Sequence, residues 1–141
     1  MERKVDELLP EAKNWISRCL TLGLETCEFY GTSMKNSQRP SDLDIVFKKW
    51  KLDTSPEKIA PNGIINGLGI LFGELMIEQF RLEWRIVTDD FGTEFALIFP
   101  GTSREIYPRD FVAKRIDPDN NEFGFFEAMQ NLIKDELSRN K

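Results

Sequence analysis

The spacing of the apolar residues changes near residue 82, and this change constrains the fold more than any other feature of the chain. Before it, large apolar side chains recur every three or four positions, as in an amphipathic helix; they are Ile64, Leu68, Leu71, Phe72, Leu75, Met76 and Phe80. After it they alternate, so Trp84 and Ile86 share one face of a predicted strand, and Phe95 and Leu97 share one face of the next. The segment 89–93 between them contains glycine and has the length of a hairpin turn.

Helical spacing also precedes this region. Apolar residues recur in this way from Val5 to Leu20, and either a short turn precedes Pro10 or the main helix begins there. Gly23 is a suitable C-cap for this helix. The segment 24–41 that follows is rich in Gly, Ser, Thr, Asn and Pro, a composition typical of a loop.

Two further helices and a third strand complete the pattern. The segment 41–52 has helical spacing with Ser41 as its N-cap, a short strand is expected over 104–107, and the last helix begins near Glu122. The chain therefore predicts N-terminal helices, a central antiparallel β-meander of about three strands, and a C-terminal helix packed on the sheet. This order defines an α+β fold rather than a series of βαβ repeats.

The predicted helix before the hairpin contains four glycines, at Gly63, Gly67, Gly69 and Gly73. Each glycine costs a helix about 1 kcal/mol relative to alanine. Their presence therefore indicates that this helix approaches a neighbouring backbone closely.

The length of the chain and its lack of targeting signals limit the number of domains and the cell compartment that we expect. Its 141 residues suit one domain over 1–141, with a helical part at 1–60 and the Gly-rich helix, hairpin and C-terminal helix at 61–141. No secretory signal opens the chain, and no apolar stretch approaches the roughly 20 residues that cross a bilayer. We expect a bacterial protein located in the reducing cytoplasm, without membrane association and with both cysteines reduced.

The absence of histidine from the sequence excludes many reactions. Ser-His-Asp and Cys-His nucleophiles and imidazole acid–base catalysis all need it. The two cysteines are too few for a tetrathiolate zinc site. Carboxylate, lysine or tyrosine chemistry remains, and nothing in the sequence requires catalysis, so we expect a non-enzymatic domain without a metal or cofactor.

The charge of the chain points to its class of partner. The net charge is −5, and the short basic cluster at 48–51 is flanked by Asp44 and Asp53, as on a solvated helix face. A nucleic-acid binder would carry a basic stripe instead. An acidic surface suits a protein partner with a basic surface, and we expect no nucleic-acid partner.

One motif resembles the signature of the nucleotidyltransferase superfamily. The segment 29–33 (FYGTS) is followed by 40–47 (PSDLDIVF), which is similar to the Gly-Ser turn and Asp-x-Asp strand of that superfamily. The resemblance implies that Gly31 and Ser33 would bind a nucleotide triphosphate, while Asp42 and Asp44 would hold Mg²⁺.

The same residues have a simpler interpretation. The segment after Asp44 has helical spacing, and on a helix Asp42 and Asp44 would face apart. They would then lie near the positive end of the helix dipole, after an ordinary loop. The superfamily also needs a third carboxylate on a core strand, for which the chain offers Glu83 and Glu94 at the ends of the hairpin.

A second resemblance covers more of the chain. The segments 68–75 (LGILFGEL), 82–94 (LEWRIVTDDFGTE) and 106–116 (IYPRDFVAKRI) resemble, in this order, the motifs of a bacterial domain family of unknown function. The likeness extends over about 64–133 and implies a fold without an established reaction. A pocket or interface near Trp84, Asp89 and Arg115 is the site hypothesis that goes with it.

Three functions therefore stay open. The first is a non-catalytic protein-binding module, for example an immunity protein that neutralises a cationic toxin. The second is a Mg²⁺-dependent nucleotidyltransferase that uses Ser33, Asp42 and Asp44. The third is a small-molecule sensor or structural subunit, with a homodimer as one arrangement.

Overall fold

Proline begins four of the five helices in the part of the chain that the structure describes. The computed structural model describes residues 2–31, 38–102 and 104–139. Proline suits the first helical position because its fixed φ is helical and its missing N–H is not needed there. The elements are β1 (Lys4–Asp6), α1 (Pro10–Phe29), α2 (Pro40–Leu52), α3 (Pro61–Phe80), β2 (Glu83–Asp89), β3 (Gly92–Ile98), β4 (Glu105–Ile106), α4 (Pro108–Ala113) and α5 (Phe125–Arg139).

The strands form one antiparallel sheet in the order β1-β2-β3-β4. The central hairpin pairs Trp84 with Leu97 and Ile86 with Phe95, so the predicted apolar faces lie on the same side of the sheet. The α+β fold with a central meander is confirmed. The meander has a fourth strand, because residues at the N-terminus that were expected in a helix pair with β2 instead, Val5 opposite Val87.

Helix α3 lies at the centre of the helical layer and packs against α1, α4 and α2. Its crossing with α1 is close enough that a Cβ on Gly23 would overlap the carbonyl oxygen of Gly67. The predicted close approach of the Gly-rich helix is therefore present. Gly23 is not the C-cap that we predicted, since α1 continues past it to Phe29.

The ends of two other helices differ from the prediction. Helix α2 has Arg39, not Ser41, at its N-cap position. Helix α5 begins at Phe125, three residues after the expected start, and it packs mainly against α2 and to a smaller extent against α3. Its buried residues are Phe125, Phe126 and Ile133, which join the same hydrophobic core as α3.

Among the described residues, no helix combines the length and apolar character that crossing a bilayer requires.

Candidate functional site

Asp42 and Asp44 both lie in the first turns of α2, and each binds the backbone of a helix. Asp42 accepts a hydrogen bond from the backbone N–H of Arg39 at 2.9 Å. Asp44 reaches across to α5, where Oδ1 accepts the N–H of Phe126 at 2.8 Å and Oδ2 accepts the N–H of Glu127 at 3.0 Å. The free N–H groups at a helix start need such acceptors. Asp44 therefore caps a helix that is distant in the sequence.

This geometry contradicts the nucleotidyltransferase interpretation. Residues two positions apart on a helix point in different directions, and Asp42 and Asp44 serve different helices. Ser33, the third residue of that hypothesis, lies outside the described residues. The expected additional carboxylates form ion pairs, Glu83 with Arg85 and Glu94 with Arg109.

A metal site would need several such ligands close together. Within 2–31, 38–102 and 104–139, no three Cys, Asp or Glu side chains are grouped so that they could hold a metal ion.

The half-buried position of Asp44 affects its titration. Burial raises the pKa of the Asp44 carboxyl, and the hydrogen bonds from Phe126 and Glu127 oppose this by favouring the charged form. The carboxylate has exchanged part of its hydration for backbone donors, which is the behaviour of a structural cap.

The structure does not bring Trp84, Asp89 and Arg115 together in one pocket. Trp84 packs its indole on Gly73 and donates from Nε1 to Glu74 at 3.2 Å. Asp89 is at the other end of the same strand and, five positions away, on the opposite face of the sheet. Arg115 follows α4 and lines a different cleft from Trp84.

The hairpin tip, which we define as Asp89, Asp90 and Phe91, is one exposed candidate surface. The carboxylate of Asp89 accepts the N–H of Phe91 at 2.8 Å, and Gly92 completes the turn with a φ of 127°. This bond holds the turn in shape. The side chain of Phe91 is 99% exposed. Sequence analysis did not single out Phe91, although an aromatic residue inside a turn sequence is a usable signal.

A second candidate surface is the cleft between α4 and α5, which we call the α4–α5 cleft. It has a volume of about 290 Å³. Its apolar lining residues are Phe72, Ile106, Pro108, Phe111 and Met129. Tyr107, Asp110, Lys114 and Arg115 add polar side chains to the lining.

A neighbouring cleft of about 240 Å³ extends the α4–α5 cleft along α5. The two share Ile106 and Met129. The neighbouring cleft is lined by apolar and charged residues, among them Arg104, Glu105 and Glu136.

Arg115 is held firmly in the wall of this cleft. Its guanidinium lies over the rings of Phe111 at 4.7 Å and Phe125 at 5.0 Å. Nη1 donates to the carbonyl oxygen of Phe111 at 2.8 Å, and Nη2 to Glu122 at 3.3 Å. The Nε atom is buried and has no hydrogen-bond partner among the described residues. An unsatisfied buried donor of this kind calls for an explanation.

Sequence analysis missed the cluster around Arg109. Its Nε donates to Asn66 at 2.8 Å and its Nη1 to Glu94 at 2.8 Å, while its guanidinium lies 5.5 Å from the ring centre of Trp15. Trp15 in turn stacks on Phe95 at 5.0 Å. The cluster joins α1, α3, β3 and α4, so its contacts are explained by the fold.

The described residues thus define a class of protein: an α+β domain with an antiparallel meander, in which helices form one hydrophobic core with the sheet. A family model, Domain of unknown function (DUF3806), matches residues 44–128, and the chain belongs to this family. The prediction of a domain family of unknown function is confirmed. The match starts within α2, earlier than the predicted 64.

A solved structure has a similar fold. It is a crystal structure at 1.50 Å resolution of a protein from Bacteroides thetaiotaomicron VPI-5482, with a TM-score of 0.69 and 16% sequence identity. The alignment covers 94% of this chain and 48% of that chain, so the present sequence spans about half the length of this relative. At this identity the similarity concerns the fold alone. No curated protein matches the sequence.

Proposed function

We propose that this domain is a non-catalytic protein-binding module and that the hairpin tip is part of its interface. The observation that carries the proposal is the full exposure of Phe91. A turn can be made from polar residues, so the fold does not need a phenyl ring there. Aromatic side chains concentrate at the centres of protein interfaces, where they supply much of the binding energy.

The charge around the ring favours a partner with a basic surface. Asp89 and Asp90 directly precede Phe91, and the whole chain carries a net charge of −5. Opposite charges on two proteins accelerate their encounter, while the aromatic anchor slows dissociation. A phenyl ring beside two carboxylates fits an apolar pocket with a basic rim.

An immunity protein is the specific version of this function that we favour. A domain that neutralises a cationic toxin needs a complementary acidic surface and no catalytic group. The roles of Asp42 and Asp44 as helix caps support a non-catalytic function, because these were the strongest candidates for catalysis. The partner's identity then follows from genetics, since a toxin and its immunity protein are encoded together.

The test uses the protein encoded by the reading frame next to this one. The two proteins are produced together in a bacterial host, and growth is compared with and without the present domain. Rescue of growth by the domain supports the immunity function. No binding and no rescue would remove it.

Purified proteins then test the interface. Phe91→Ala should raise the Kd at least about tenfold, which corresponds to about 1.4 kcal/mol. The double variant Asp89→Asn/Asp90→Asn should mainly lower the association rate, and less so at high salt. Leu52→Ala, at an exposed leucine at the end of α2, is the matched control and should leave both rates unchanged. Tight binding that none of the tip variants alters would show that the interface lies elsewhere.

A further inference from the structure

We propose that the α4–α5 cleft is a binding site for an apolar carboxylate, with Arg115 as the residue that receives the carboxylate group. The ligand class is a molecule or chain end that carries a carboxylate on an apolar body. The hairpin tip is not involved, so this proposal is independent of the proposed function.

The first argument is the unused hydrogen-bonding capacity of Arg115. The Nε and Nη2 atoms of a guanidinium form a fork that matches the two oxygens of a carboxylate. Among residues 2–31, 38–102 and 104–139, Nη2 of that fork is paired with Glu122 at 3.3 Å, and Nε is buried without a partner. A ligand carboxylate that replaces Glu122 would satisfy both atoms.

The second argument is the fixed position of this group. The rings of Phe111 and Phe125 lie over the guanidinium, and the carbonyl oxygen of Phe111 holds Nη1. The side chain of Arg115 is only 18% exposed, whereas that of Glu122 is 53% exposed. Because Arg115 is held in place and Glu122 is not, an incoming carboxylate can displace Glu122 and bind Nη2. Its second oxygen reaches the buried Nε once the side chains that cover this atom shift.

The third argument is the composition of the cleft. Its volume of about 290 Å³ is near the lower end of small-molecule sites, roughly 300–1,000 Å³. Phe72, Phe111 and Met129 supply apolar lining, and Lys114 supplies a second cation. Lys114 forms a surface ion pair with Asp110, of a type that contributes about 0–1 kcal/mol and is easily exchanged.

The ligand can come from two sources that share this chemistry. One is a free small acid with an aromatic or aliphatic body. The other is the C-terminus of a peptide, whose preceding residues would extend into the neighbouring cleft beside Leu132 and Arg104.

The experiment is an NMR titration of the ¹⁵N-labelled 141-residue chain. The probes are 3-phenylpropanoate and its uncharged analogue 3-phenylpropanamide, followed by the peptide Ala-Ala-Phe with a free or an amidated C-terminus. We expect the acids to shift the Arg115 Nε–H resonance and the Met129 amide to saturation. The amides should bind at least about tenfold more weakly, the loss expected for a charge-assisted bond.

Three variants sharpen the result. Glu122→Gln removes the charge that competes with the ligand for Arg115. Because the side chain of Glu122 is 53% exposed, the fold should tolerate the change, and acid binding should tighten several-fold. Arg115→Lys keeps the charge but loses the fork, and it should weaken binding about tenfold. Arg139→Lys, at an exposed position in the last turn of α5, is the control for a general charge effect and should change nothing.

The two sources of ligand give different results. A peptide C-terminus is identified as the source if the peptide acid binds more tightly than 3-phenylpropanoate and also shifts the amides of Leu132 and Arg104. Shifts confined to the α4–α5 cleft identify a small acid. Equal binding of acids and amides, or no shift of the Arg115 Nε–H up to the solubility limit, would overturn the proposal. The Glu122→Gln variant keeps this test decisive if Arg115→Lys fails to fold.

Discussion

Two short acidic sequences in this chain look alike and behave differently. Asp42 and Asp44 lie near the start of α2, whereas Asp89 ends β2 and Asp90 follows it in the turn. The first two accept hydrogen bonds from the starts of two helices, at Arg39 and at Phe126 and Glu127. At the hairpin tip, the carboxylate of Asp89 accepts the N–H of Phe91 within the turn itself, and the ring of Phe91 is fully exposed. The difference shows that the available backbone donors, more than the spacing of the carboxylates, decide their role.

The largest effect that follows from this comparison is on Asp44. Asp44→Ala should lower the free energy of unfolding by about 2 kcal/mol, because two N–H groups at the start of α5 lose their acceptor. Urea unfolding followed by circular dichroism measures it. Asp44→Asn keeps one acceptor oxygen and should lose about half as much. A change below about 0.5 kcal/mol in Asp44→Ala would contradict the capping role.

Asp42 should have a smaller effect than Asp44. Its carboxylate accepts one backbone hydrogen bond, from Arg39, and lies in the first turn of a helix. Asp42→Ala should therefore cost about 1 kcal/mol in the same urea measurement. Equal losses for Asp42→Ala and Asp44→Ala would show that the link from α2 to α5 contributes nothing beyond a local cap.

The contributions of Asp44 and Asp53, at the two ends of α2, to the free energy of unfolding should change with pH in opposite directions. Burial raises the folded-state pKa of Asp44 above its ordinary value of 3.8. Between the ordinary pKa of 3.8 and the raised folded-state pKa, the folded state binds more protons at Asp44 than the unfolded state does. The contribution of Asp44 to stability is thus complete below about pH 3.8 and falls as pH rises through the folded pKa. The stability of the wild type relative to Asp44→Asn should decrease over this window and then stay constant.

Asp53, at the other end of α2, supplies the control. The backbone N–H of Ser55, followed by the hydroxyl of Tyr30, lowers the folded-state pKa of the Asp53 carboxyl. Its contribution is present above about pH 3.8 and is lost as pH falls through the folded pKa. The stability of the wild type relative to Asp53→Asn should therefore rise with pH. Both differences come from urea unfolding at pH steps from 3 to 7, and slopes of the same sign would contradict the assignment.

Much of the fold could be predicted from the sequence because its signals are local. Alternation from Trp84 and the turn at 89–93 gave the hairpin, and helical spacing gave α3. The strand β1 could not be predicted, since all three of its residues are exposed and it forms only because β2 offers a free edge. Gly23 lies inside α1 and packs closely on Gly67 of α3, a contact between helices that local sequence does not contain.

The candidate sites depended still more on distant contacts. Asp44 binds residues 82 and 83 positions away, so the sequence could not distinguish a metal ligand from a helix cap. The helical spacing of Leu43, Phe47 and Trp50 indicated that Asp44 lies on a helix rather than on a strand, and this favoured the cap. Arg115 was singled out by its motif, but its position against the rings of Phe111 and Phe125 depends on α5. The exposure of Phe91 follows from the turn, and this was within reach of sequence reasoning.

The smallest expected effect on stability is at the hairpin tip. Because the ring of Phe91 is 99% exposed, its replacement removes almost no buried surface. Phe91→Ser should change the free energy of unfolding by no more than about 0.5 kcal/mol. Phe95→Ser, in the same hairpin, removes a half-buried ring that stacks on Trp15 and should cost about 2 kcal/mol. Thermal and urea unfolding of both variants measure the contrast. A large loss in Phe91→Ser would mean that the ring stabilises the fold, and the argument for an interface at the tip would then lose its basis.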